Sequence, residues 1–565
     1  MIGYVCKYTP IHIIKACGEN PVLIEPHISN FDHADALLHS NMCTYSKAIL
    51  EESIKNKIDK IILINCCDSI RRLYDVLKKN PNIRYIYLLD LPQKCNSCSK
   101  ELFYKGIKDF ILSLEEELHT CFDAEGFKKS LQEDLSQDSG DALVKEQINI
   151  ALIGARYSQS LMDLIQQYDV HIKYNLTCAN RSLDSFNLEE ADLIREYSEQ
   201  LLNQYPCMRM SETERRHEVL FQDKELDGII YHTIKFCDYY GYDFANLKKK
   251  SIPPLLKIET DSTIQSEGQL HTRIEAFLES LNVRKASSIG PYKRAAPSPT
   301  HFMKDTTLVA GIDIGSTSTN VVLLDKNKSI LASSIVKTGA KSIEAAHNAL
   351  SEALSKAGLH RNAIKYIVST GYGRISLPFA DEEVTEITCH GKGAHFVFPS
   401  IRTIIDIGGQ DSKAIKLDIQ GNVKDFAMND KCAAGTGRFL DMLTKTLDIQ
   451  LPSIGQESLK WKKHITISSM CAVFAESEII SLIAKNTELP DILHGVCDSI
   501  AGKTTVLLRR IGGEPPYMMT GGVAKNIGII RCLEDKLAQS IFVPEEPQII
   551  GALGAALIAQ EKYWG

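Results

Sequence analysis

The 565-residue sequence has no cluster of lysine and arginine, no long hydrophobic run and no secretion signal in its first residues. The formal net charge is -7, which argues against a nucleic-acid partner. The longest apolar stretch, IIGALGAALIA near the C-terminus, is too short to span a bilayer. The opening MIGYVCKYTPIHIIKAC lacks the basic-then-apolar layout of a signal peptide. We therefore expect a cytoplasmic protein that binds neither nucleic acid nor membrane.

Cysteine, by contrast, is abundant. The chain has 16 cysteines, with eleven before residue 240 and five after residue 385. In a reducing compartment such thiols serve as ligands or as small buried residues more often than as disulfides. Because a single cysteine is most simply a buried hydrophobe, only its position relative to strands and helices can indicate a function.

The chain is too long for one core and divides at a change of composition. Residues 284–304, RKASSIGPYKRAAPSPTHFMK, are rich in proline, serine, alanine and basic residues, which is typical of an interdomain linker. Upstream, residues 1–283 alternate β-rich and helical stretches, which predicts two Rossmann-like subdomains with parallel sheets. The acidic stretch at 131–142 marks the predicted split between them. Residues 305–565 form the third predicted part.

The C-terminal part contains an internal repeat. Residues 306–337, TTLVAGIDIGSTSTNVVLLDKNKSILASSIVK, alternate strands and turns, and RTIIDIGGQDSKAIKLDIQGNVKDFAMND at 402–430 repeats the pattern. Both copies contain Ile-Asp-Ile-Gly followed by small polar residues. The repeat predicts two similar α/β lobes that face each other across a cleft.

Three glycine turns in this part are candidates for nucleotide binding, since glycine lets backbone N–H groups approach phosphate oxygens. We predict that Asp313 holds Mg²⁺ through water, and that Asp406 and Gln410 orient the metal and the attacking water. The third turn, TGGVAKN, would lie flat against the adenosine. The predicted nucleotide-binding residues are Gly315, Ser316, Thr317, Ser318, Gly408, Gly409, Gly521, Gly522, Lys525 and Asn526.

Two further cysteines, Cys432 and Cys471, each stand directly before a run of helical period. A helix N-terminus favours a thiolate and any anionic cluster that the thiolate holds. An iron–sulfur cube needs about four thiolates, so two per chain predict that a symmetric dimer completes the site.

These motifs resemble the BadF/BadG/BcrA/BcrD type of ATPase, the activators of 2-hydroxyacyl-CoA dehydratases and benzoyl-CoA reductases in the actin/hexokinase/heat-shock-protein superfamily. The segments that carry the resemblance are the two Asp-Ile-Gly loops, STGYGRISLPFAD, TEITCHGKGA, MNDKCAAGTGRFLDML and SSMCAVFAESEIISLIAKN. The resemblance implies ATP or ADP with Mg²⁺, a homodimer, and one [4Fe–4S] cluster held between subunits by Cys432 and Cys471. It also implies a ferredoxin or flavodoxin as electron donor. One departure is Asn320, where activators usually carry lysine.

In the N-terminal part, Cys43, Cys67 and Cys237 stand at strand ends or helix starts, where open α/β sheets place ligand sites. The segments MCTYSKAIL, NCCDSIRRLYD and DGIIYHTIKFCDYYG resemble the small subunit of 2-hydroxyacyl-CoA dehydratases. That resemblance implies a second [4Fe–4S] cluster on these three cysteines. The additional thiols of Cys66, Cys95, Cys98 and Cys178 leave open a larger cluster, as in double-cubane cluster proteins.

The remaining C-terminal cysteines are Cys389, Cys497 and Cys532. We expect Cys497 and Cys532 to lie in the core. For Cys389, which precedes His390 and His395, we expect a buried thiol beside a surface histidine, with a redox or ligand role as the alternative.

The sequence thus predicts a fused ATP-dependent electron-transfer protein that reduces or dehydrates an acyl-CoA or a small molecule, with or without a separate dehydratase subunit. Two alternatives stay open. One is a metabolite kinase of the same ATPase fold, in which Cys432 and Cys471 are core thiols. The other is a non-catalytic regulator that binds an acyl-CoA.

Overall fold

The computed structural model describes residues 1–39, 41–56, 58–135, 147–183, 190, 192–210, 217–249, 253–263, 267–287, 307–429, 433–467 and 472–565. The chain forms two compact units, Met1–Leu281 and Asn282–Gly565. Among the described residues, no helix has the length and apolar character that crossing a bilayer requires.

The N-terminal unit contains two parallel four-stranded sheets, as predicted. The strands are β1 (Ile2–Tyr4), β2 (Pro21–Leu23), β3 (Lys60–Ile64), β4 (Tyr85–Leu89), β5 (Ile148–Gly154), β6 (Val170–Thr177), β7 (Gly228–Ile234) and β8 (Leu255–Thr260). The first sheet has the order β2-β1-β3-β4 and the second the order β6-β5-β7-β8. The strand order therefore reverses between β1 and β3, and again between β5 and β7. In open parallel sheets, ligands bind outside the carboxyl ends of the strands at such points.

Helices connect these strands. They are α1 (Ile11–Ala16), α2 (Asp32–Leu37), α3 (Thr44–Lys55), α4 (Asp68–Leu77), α5 (Ser97–Leu118), α6 (Ala124–Leu135), α7 (Gln159–Gln166), α8 (Leu193–Asn203), α9 (Glu218–Gln222), α10 (Asp238–Leu247) and α11 (Glu267–Ser287). Polar caps set several of the starts: the side chain of Asn96 accepts a hydrogen bond from Ser99 N, and that of Ser158 from Leu161 N.

Helix α11 extends past residue 284, the predicted start of the linker. The helix continues to Ser287, because Arg284, Lys285 and Ala286 are good helix formers and the first helix breaker, Gly290, comes later. The rest of the predicted linker lies outside the described residues. The assignment of residues 1–283 and 305–565 as the functional domains remains a prediction.

A buried histidine joins α1 to α6 and makes the N-terminal unit sensitive to acid. His12 is fully buried, with Nδ1 at 2.8 Å from Ser130 Oγ and Nε2 at 3.2 Å from Asp134 Oδ2. Burial lowers the pKa of His12 to about 4, although Asp134 raises it. The unfolded chain, with a histidine pKa of 6.5, therefore takes up a proton as the pH falls through 6.5, whereas the folded chain does not.

Lowering the pH from 6.5 to 5 is consequently expected to destabilise this unit, by about 1.4 kcal/mol per pH unit for His12. Hydrogen–deuterium exchange of peptides from α1 and α6, corrected for intrinsic exchange rates, measures the effect locally. In His12→Asn the protection should be lower at neutral pH and should depend less on pH. An equal pH dependence in the variant would contradict the assignment.

In the described part of the C-terminal unit, ten strands form two sheets. The strands are β9 (Leu308–Ile314), β10 (Ser318–Leu324), β11 (Ile330–Lys337), β12 (Ile364–Thr370), β13 (Glu382–Glu383), β14 (Thr403–Ile407), β15 (Ser412–Leu417), β16 (Val423–Asn429), β17 (Tyr517–Thr520) and β18 (Ile541–Phe542). The sheet orders, β11-β10-β9-β12-β13 and β16-β15-β14-β17-β18, are equivalent. In each, three antiparallel strands are followed by two parallel ones. The predicted duplication is confirmed, and the two-lobed fold is of the actin/hexokinase class.

The helices of this unit are α12 (Ser342–Ala357), α13 (Glu386–Val397), α14 (Gly437–Leu447), α15 (Leu451–Ser458), α16 (Ala472–Ala484), α17 (Leu489–Arg510), α18 (Ile527–Leu537) and α19 (Ile550–Trp564). The longest apolar run of the sequence forms α19, which packs on α13 and β9 through small residues. A Cβ on Gly311 would lie 2.0 Å from Ala552 O, and one on Gly554 would lie 1.8 Å from Cys389 O. Only glycine permits backbones to approach this closely. Cys389, Cys497 and Cys532 are all buried, as predicted.

Candidate functional site

The two Asp-Ile-Gly loops of the C-terminal unit lie against each other. In the first, Gly315 N donates to Ser318 O at 3.0 Å and closes the hairpin. In the second, Gly408 N donates to Asp411 O at 3.0 Å. A Cβ on Gly409 would lie 1.8 Å from Thr317 Oγ1, so the loops from the two lobes touch. This places both predicted phosphate-binding loops on one cleft.

Asp313, one residue before the end of β9, is a buried carboxylate of the cleft. Its side chain is 8% exposed, and no ion pair of Asp313 occurs within the described part of the chain. Burial raises the pKa of Asp313 to about 6, and His390 opposes this rise only in part. Carboxylate oxygens are ligands that Mg²⁺ prefers. The arrangement suits a carboxylate whose charge is balanced by a bound cation.

Asp406, on the equivalent strand β14, is already paired. Its Oδ1 lies 3.3 Å from His390 Nε2 and 3.0 Å from Thr520 Oγ1, and its Oδ2 lies 3.3 Å from Lys413 Nζ. Burial alone would raise the pKa of Asp406, but His390 and Lys413 hold it well below its usual range. Asp406 is thus fixed as an anion, and its orientation is set by three neighbours.

His390 and Lys413 are site residues that the sequence did not reveal. The expectation of a surface histidine after Cys389 was wrong for His390, which is 6% exposed. Although burial lowers the pKa of His390, Asp406 and Asp313 raise it to about 9. Its position follows from the packing of α13 under α19, where a Cβ on Gly551 would lie 2.9 Å from His390 Cε1. That contact is non-local and leaves no local sequence signal.

The register of the strands shows which residue of the second lobe corresponds to Asn320, where activators usually carry lysine. Asn320 pairs with Asp313 across β10 and β9, and Lys413 pairs with Asp406 across β15 and β14. Lys413 is therefore the counterpart of Asn320 in the second lobe. Asn320 itself is buried and donates its amide to Gln548 O at 3.1 Å. At this position of the register the second lobe therefore carries a cation, where the first lobe carries a neutral amide.

The third glycine turn lies beside Asp406. Gly521 has a φ of +81°, and a Cβ there would lie 2.4 Å from Ile407 O and 2.9 Å from Asp406 Oδ1. Of the other residues predicted there, Asn526 caps α18 by accepting from Ile529 N, and Lys525 pairs with Glu546 at 2.9 Å. Gln410 is exposed at the second loop. Their roles toward nucleotide remain predictions.

Cys432 and Cys471 lie outside the described residues. The described chain resumes after them with a short helical turn at Ala433–Gly435 and with α16, which begins at Ala472. The turn and α14 are bonded to the second loop: Gly437 N donates to Gly408 O and Arg438 N to Gly409 O, both at 2.9 Å. Thr446 Oγ1 donates to Glu476 Oε1 at 2.7 Å and so joins α14 to α16.

In the N-terminal unit, the three predicted ligand cysteines occupy equivalent positions. Cys43, Cys67 and Cys237 are the N-cap residues of α3, α4 and α10. Each stands directly before the first helical turn, although its sulfur makes no cap hydrogen bond. A thiolate at such a position would be favoured by the positive end of the helix.

The structure brings these thiols together. Cys43 and Cys237 are hydrogen-bonded to each other, which lowers the pKa of Cys43 to about 7 and raises that of Cys237. The pKa of Cys67 is lowered, mainly by a hydrogen bond from Cys66, while the nearby charge of Cys43 opposes this. Cys67 follows β3 of the first sheet and Cys237 follows β7 of the second. The two regions are joined by a hydrogen bond from Thr44 N to Lys235 O.

Further thiols belong to the same region. Cys6, at the end of β1, is hydrogen-bonded to Cys66, and Cys178 interacts electrostatically with Cys6 and Cys207. Cys6 and Cys207 were not among the ligands predicted from the sequence. Two other candidates are placed differently: Cys98 is exposed on the first turn of α5, and Cys95 Sγ lies 3.9 Å from Asn203 Oδ1.

The donor set is a group of cysteine thiols, which are the ligands that iron–sulfur clusters use. Cys43, Cys67 and Cys237 stand at helix N-termini, with Cys6 and Cys66 beside them. Within the described residues, no three His, Cys, Asp or Glu side chains converge on a point that one metal ion could occupy. That these thiols hold a cluster remains a prediction.

The fold and the paired loops define a two-lobed ATPase, joined in one chain to an α/β unit with a thiol cluster. Comparison with known proteins agrees. Residues 310–559 match the BadF/BadG/BcrA/BcrD ATPase family, and residues 6–143 and 133–281 match the 2-hydroxyglutaryl-CoA dehydratase, D-component, family. The chain belongs to the BadF/BadG/BcrA/BcrD ATPase family, with a dehydratase-like domain before the ATPase.

Individual relatives cover the C-terminal part. The 2-hydroxyisocaproyl-CoA dehydratase activator of Clostridioides difficile is 44% identical over 252 residues, which are 45% of this chain and 94% of that protein. The (R)-2-hydroxyglutaryl-CoA dehydratase activating ATPase of Acidaminococcus fermentans is 42% identical over 253 residues, 45% of this chain and 96% of its own. A solved structure of the Clostridium difficile activator with bound ADPNP is 43% identical and covers 45% of this chain and 95% of its own, with a TM-score of 0.44.

Proposed function

We propose that this chain is an ATP-dependent electron-transfer protein in which the C-terminal ATPase drives low-potential electrons to the N-terminal unit. One observation supports the proposal above all: a single polypeptide contains both an activator-type ATPase and a second unit. In that second unit, Cys43, Cys67 and Cys237 lie near one another at helix starts. In its relatives the ATPase is named as the activator of a dehydratase. Here its acceptor would be part of the same chain.

In the ATPase, ATP or ADP with Mg²⁺ would bind between the two Asp-Ile-Gly loops. Asp313 would face the metal, while Asp406, held by Lys413 and His390, and Gln410 would orient the metal and the attacking water. The third turn, with Gly521 and Gly522, would lie against the adenosine. The hydroxyls of the first loop and the N–H groups of both loops would contact phosphate oxygens.

The nucleotide would be coupled to the cluster ligands through the second loop. Gly408 O and Gly409 O accept hydrogen bonds from the start of α14, and Ser412 Oγ donates to Gly435 O at 2.7 Å. A γ-phosphate that draws the loop toward it would therefore move the turn after Cys432, and α16 after Cys471 would follow through Thr446. Closure of a cleft on nucleotide is a recognised two-state element.

The residues proposed to hold clusters are Cys432 and Cys471 across a homodimer, and Cys43, Cys67 and Cys237 in the N-terminal unit. Such a [4Fe–4S] cluster would accept and release one electron at a time. A ferredoxin or flavodoxin would be the donor. Raising one electron by 0.2 V costs about 5 kcal/mol, which ATP hydrolysis can supply. The acceptor would be an acyl-CoA or a small molecule, with a separate dehydratase subunit as a further possible partner.

Iron and sulfide counts on the full-length protein, purified without oxygen, test this proposal. One cube in the N-terminal unit and half of a bridging cube predict about six iron atoms per chain, whereas a double cube predicts about ten. Cys432→Ala should lower the count by about two and leave the N-terminal iron in place. Iron-free wild-type protein with ATP-dependent phosphorylation of a metabolite would overturn the proposal and favour the kinase.

A further inference from the structure

A cavity in the N-terminal unit is lined by none of the predicted cluster cysteines. It has a volume of about 130 Å³ and opens at the carboxyl ends of β5, β7 and β8. This is the point at which the strand order of the second sheet reverses, where ligands bind in open parallel sheets. Gly154 makes the sharp exit from β5, with a φ of +104° and a Cβ position only 2.2 Å from His232 O.

The polar wall of the cavity contains a buried cation. Arg156 is 7% exposed, and its Nη1 donates to Tyr45 Oη at 2.5 Å and to Val5 O at 3.4 Å. Its Nη2 lies 3.9 Å from Glu25 Oε1, beyond hydrogen-bonding distance. Guanidinium donors therefore face the cavity with only a distant counter-charge.

The start of α7 adds further donors on the same side. Ser158 caps this helix and shares a hydrogen bond with Ser160 at 3.1 Å, and both hydroxyls line the cavity with Gln159. The free N–H groups and the positive end of the helix favour an anion there.

An unsatisfied buried atom points independently to a ligand. His232 is 2% exposed and lines the cavity, and its Nε2 is bonded to Thr260 Oγ1 at 2.9 Å. Its Nδ1 makes no hydrogen bond of good geometry, although the backbone of Ala155 and Arg156 lies beside the ring. A buried polar atom without a partner is costly and calls for an explanation. A polar group of a bound molecule would satisfy it.

The rest of the lining includes apolar side chains, which limit the kind of anion. They are Leu161, Leu164 and Leu270, together with Pro26 and Ile234. Glu25 near Arg156 disfavours a dianion such as phosphate, and the leucines favour a ligand with a short hydrocarbon chain. The cavity is too small for a nucleotide-bearing thioester.

We propose that this cavity binds a short-chain carboxylate, whose carboxyl group pairs with Arg156 and the start of α7 and whose hydrocarbon end contacts Leu161 and Leu164. The site borders the thiol group, because Tyr45, which holds Arg156, stands two residues after Cys43. The proposal does not depend on electron transfer by the protein.

Ligand-observed NMR with propionate on the full-length protein tests it. Propionate should bind saturably, 1-propanol should not, and inorganic phosphate should compete weakly. Arg156→Gln should weaken propionate binding about tenfold or more. Because that change also removes bonds to Tyr45 and Val5, Ser160→Trp provides a second variant: its exposed position tolerates a large side chain that fills the mouth of the cavity.

The matched control is Arg209→Gln, which removes another partly buried arginine whose Nε donates to a backbone carbonyl, Leu91 O, at 2.9 Å. Arg209 does not line the cavity, so binding should be unchanged. Absence of saturable propionate binding, equal binding in Ser160→Trp, or tighter binding of phosphate would overturn the proposal. None of these measurements involves iron or ATP, so they leave the proposed electron transfer untouched.

Discussion

Replacing Asp313 by asparagine is expected to lower ATP hydrolysis by a factor of about 100 or more. Asp313 is the buried carboxylate of the cleft that lacks an ion pair within the described residues, and burial raises its pKa to about 6. The amide would remove the charge that balances Mg²⁺. Phosphate release from the full-length protein, measured across a range of Mg²⁺ concentrations, gives the effect.

This variant should fold at least as well as the wild type, because it removes an uncompensated buried charge. Both tryptophans, Trp461 and Trp564, lie in the C-terminal unit, so their fluorescence reports on its thermal unfolding. Asp325→Asn is the matched control: Asp325 accepts from Asn327 N and Ser329 N in the turn after β10. Near-normal hydrolysis in Asp313→Asn, or an equal loss in Asp325→Asn, would refute the assignment.

Replacing Cys237 by serine is expected to remove the iron of the N-terminal unit, about four atoms per chain for a single cube. Cys237 is the N-cap residue of α10 and interacts with Cys43. Its replacement therefore removes one of the three predicted ligands. A neutral serine hydroxyl is a poor substitute for a thiolate. Iron analysis and the visible absorption of the full-length protein measure the change.

The ATPase should be little affected in Cys237→Ser, since its residues lie in the other unit. Cys121→Ser serves as the control, because Cys121 is exposed and follows α5. A full iron content in Cys237→Ser would show that this thiol holds no cluster. The same result for Cys43→Ser would exclude the whole ligand set.

Local patterns predicted much of this molecule. The positions of Cys43, Cys67 and Cys237 at helix starts follow from the change from strand to helical period, which a short window of sequence reveals. The duplicated sheets likewise follow from two similar strand-and-turn segments.

Contacts between distant segments could not be predicted in this way. His390 reaches Asp406 because α19, more than 150 residues later in the chain, packs close to α13. Cys6 joins Cys66 only once β1 and β3 are neighbours. The cavity at Arg156 requires three strand ends and the start of α7 to meet.

The coupling between nucleotide and electron transfer is the central claim, and one measurement tests it most directly. The anaerobic full-length protein is supplied with a reduced ferredoxin and mixed with ATP, with ADP or with a non-hydrolysable ATP analogue. Electron paramagnetic resonance then follows the N-terminal cluster. The signal of this cluster is identified as the one that is missing in Cys237→Ser. The account predicts that the reduced N-terminal signal accumulates with ATP, is absent with ADP, and is lost in Asp313→Asn. Reduction of equal extent and rate without ATP, or none with it, would contradict the account.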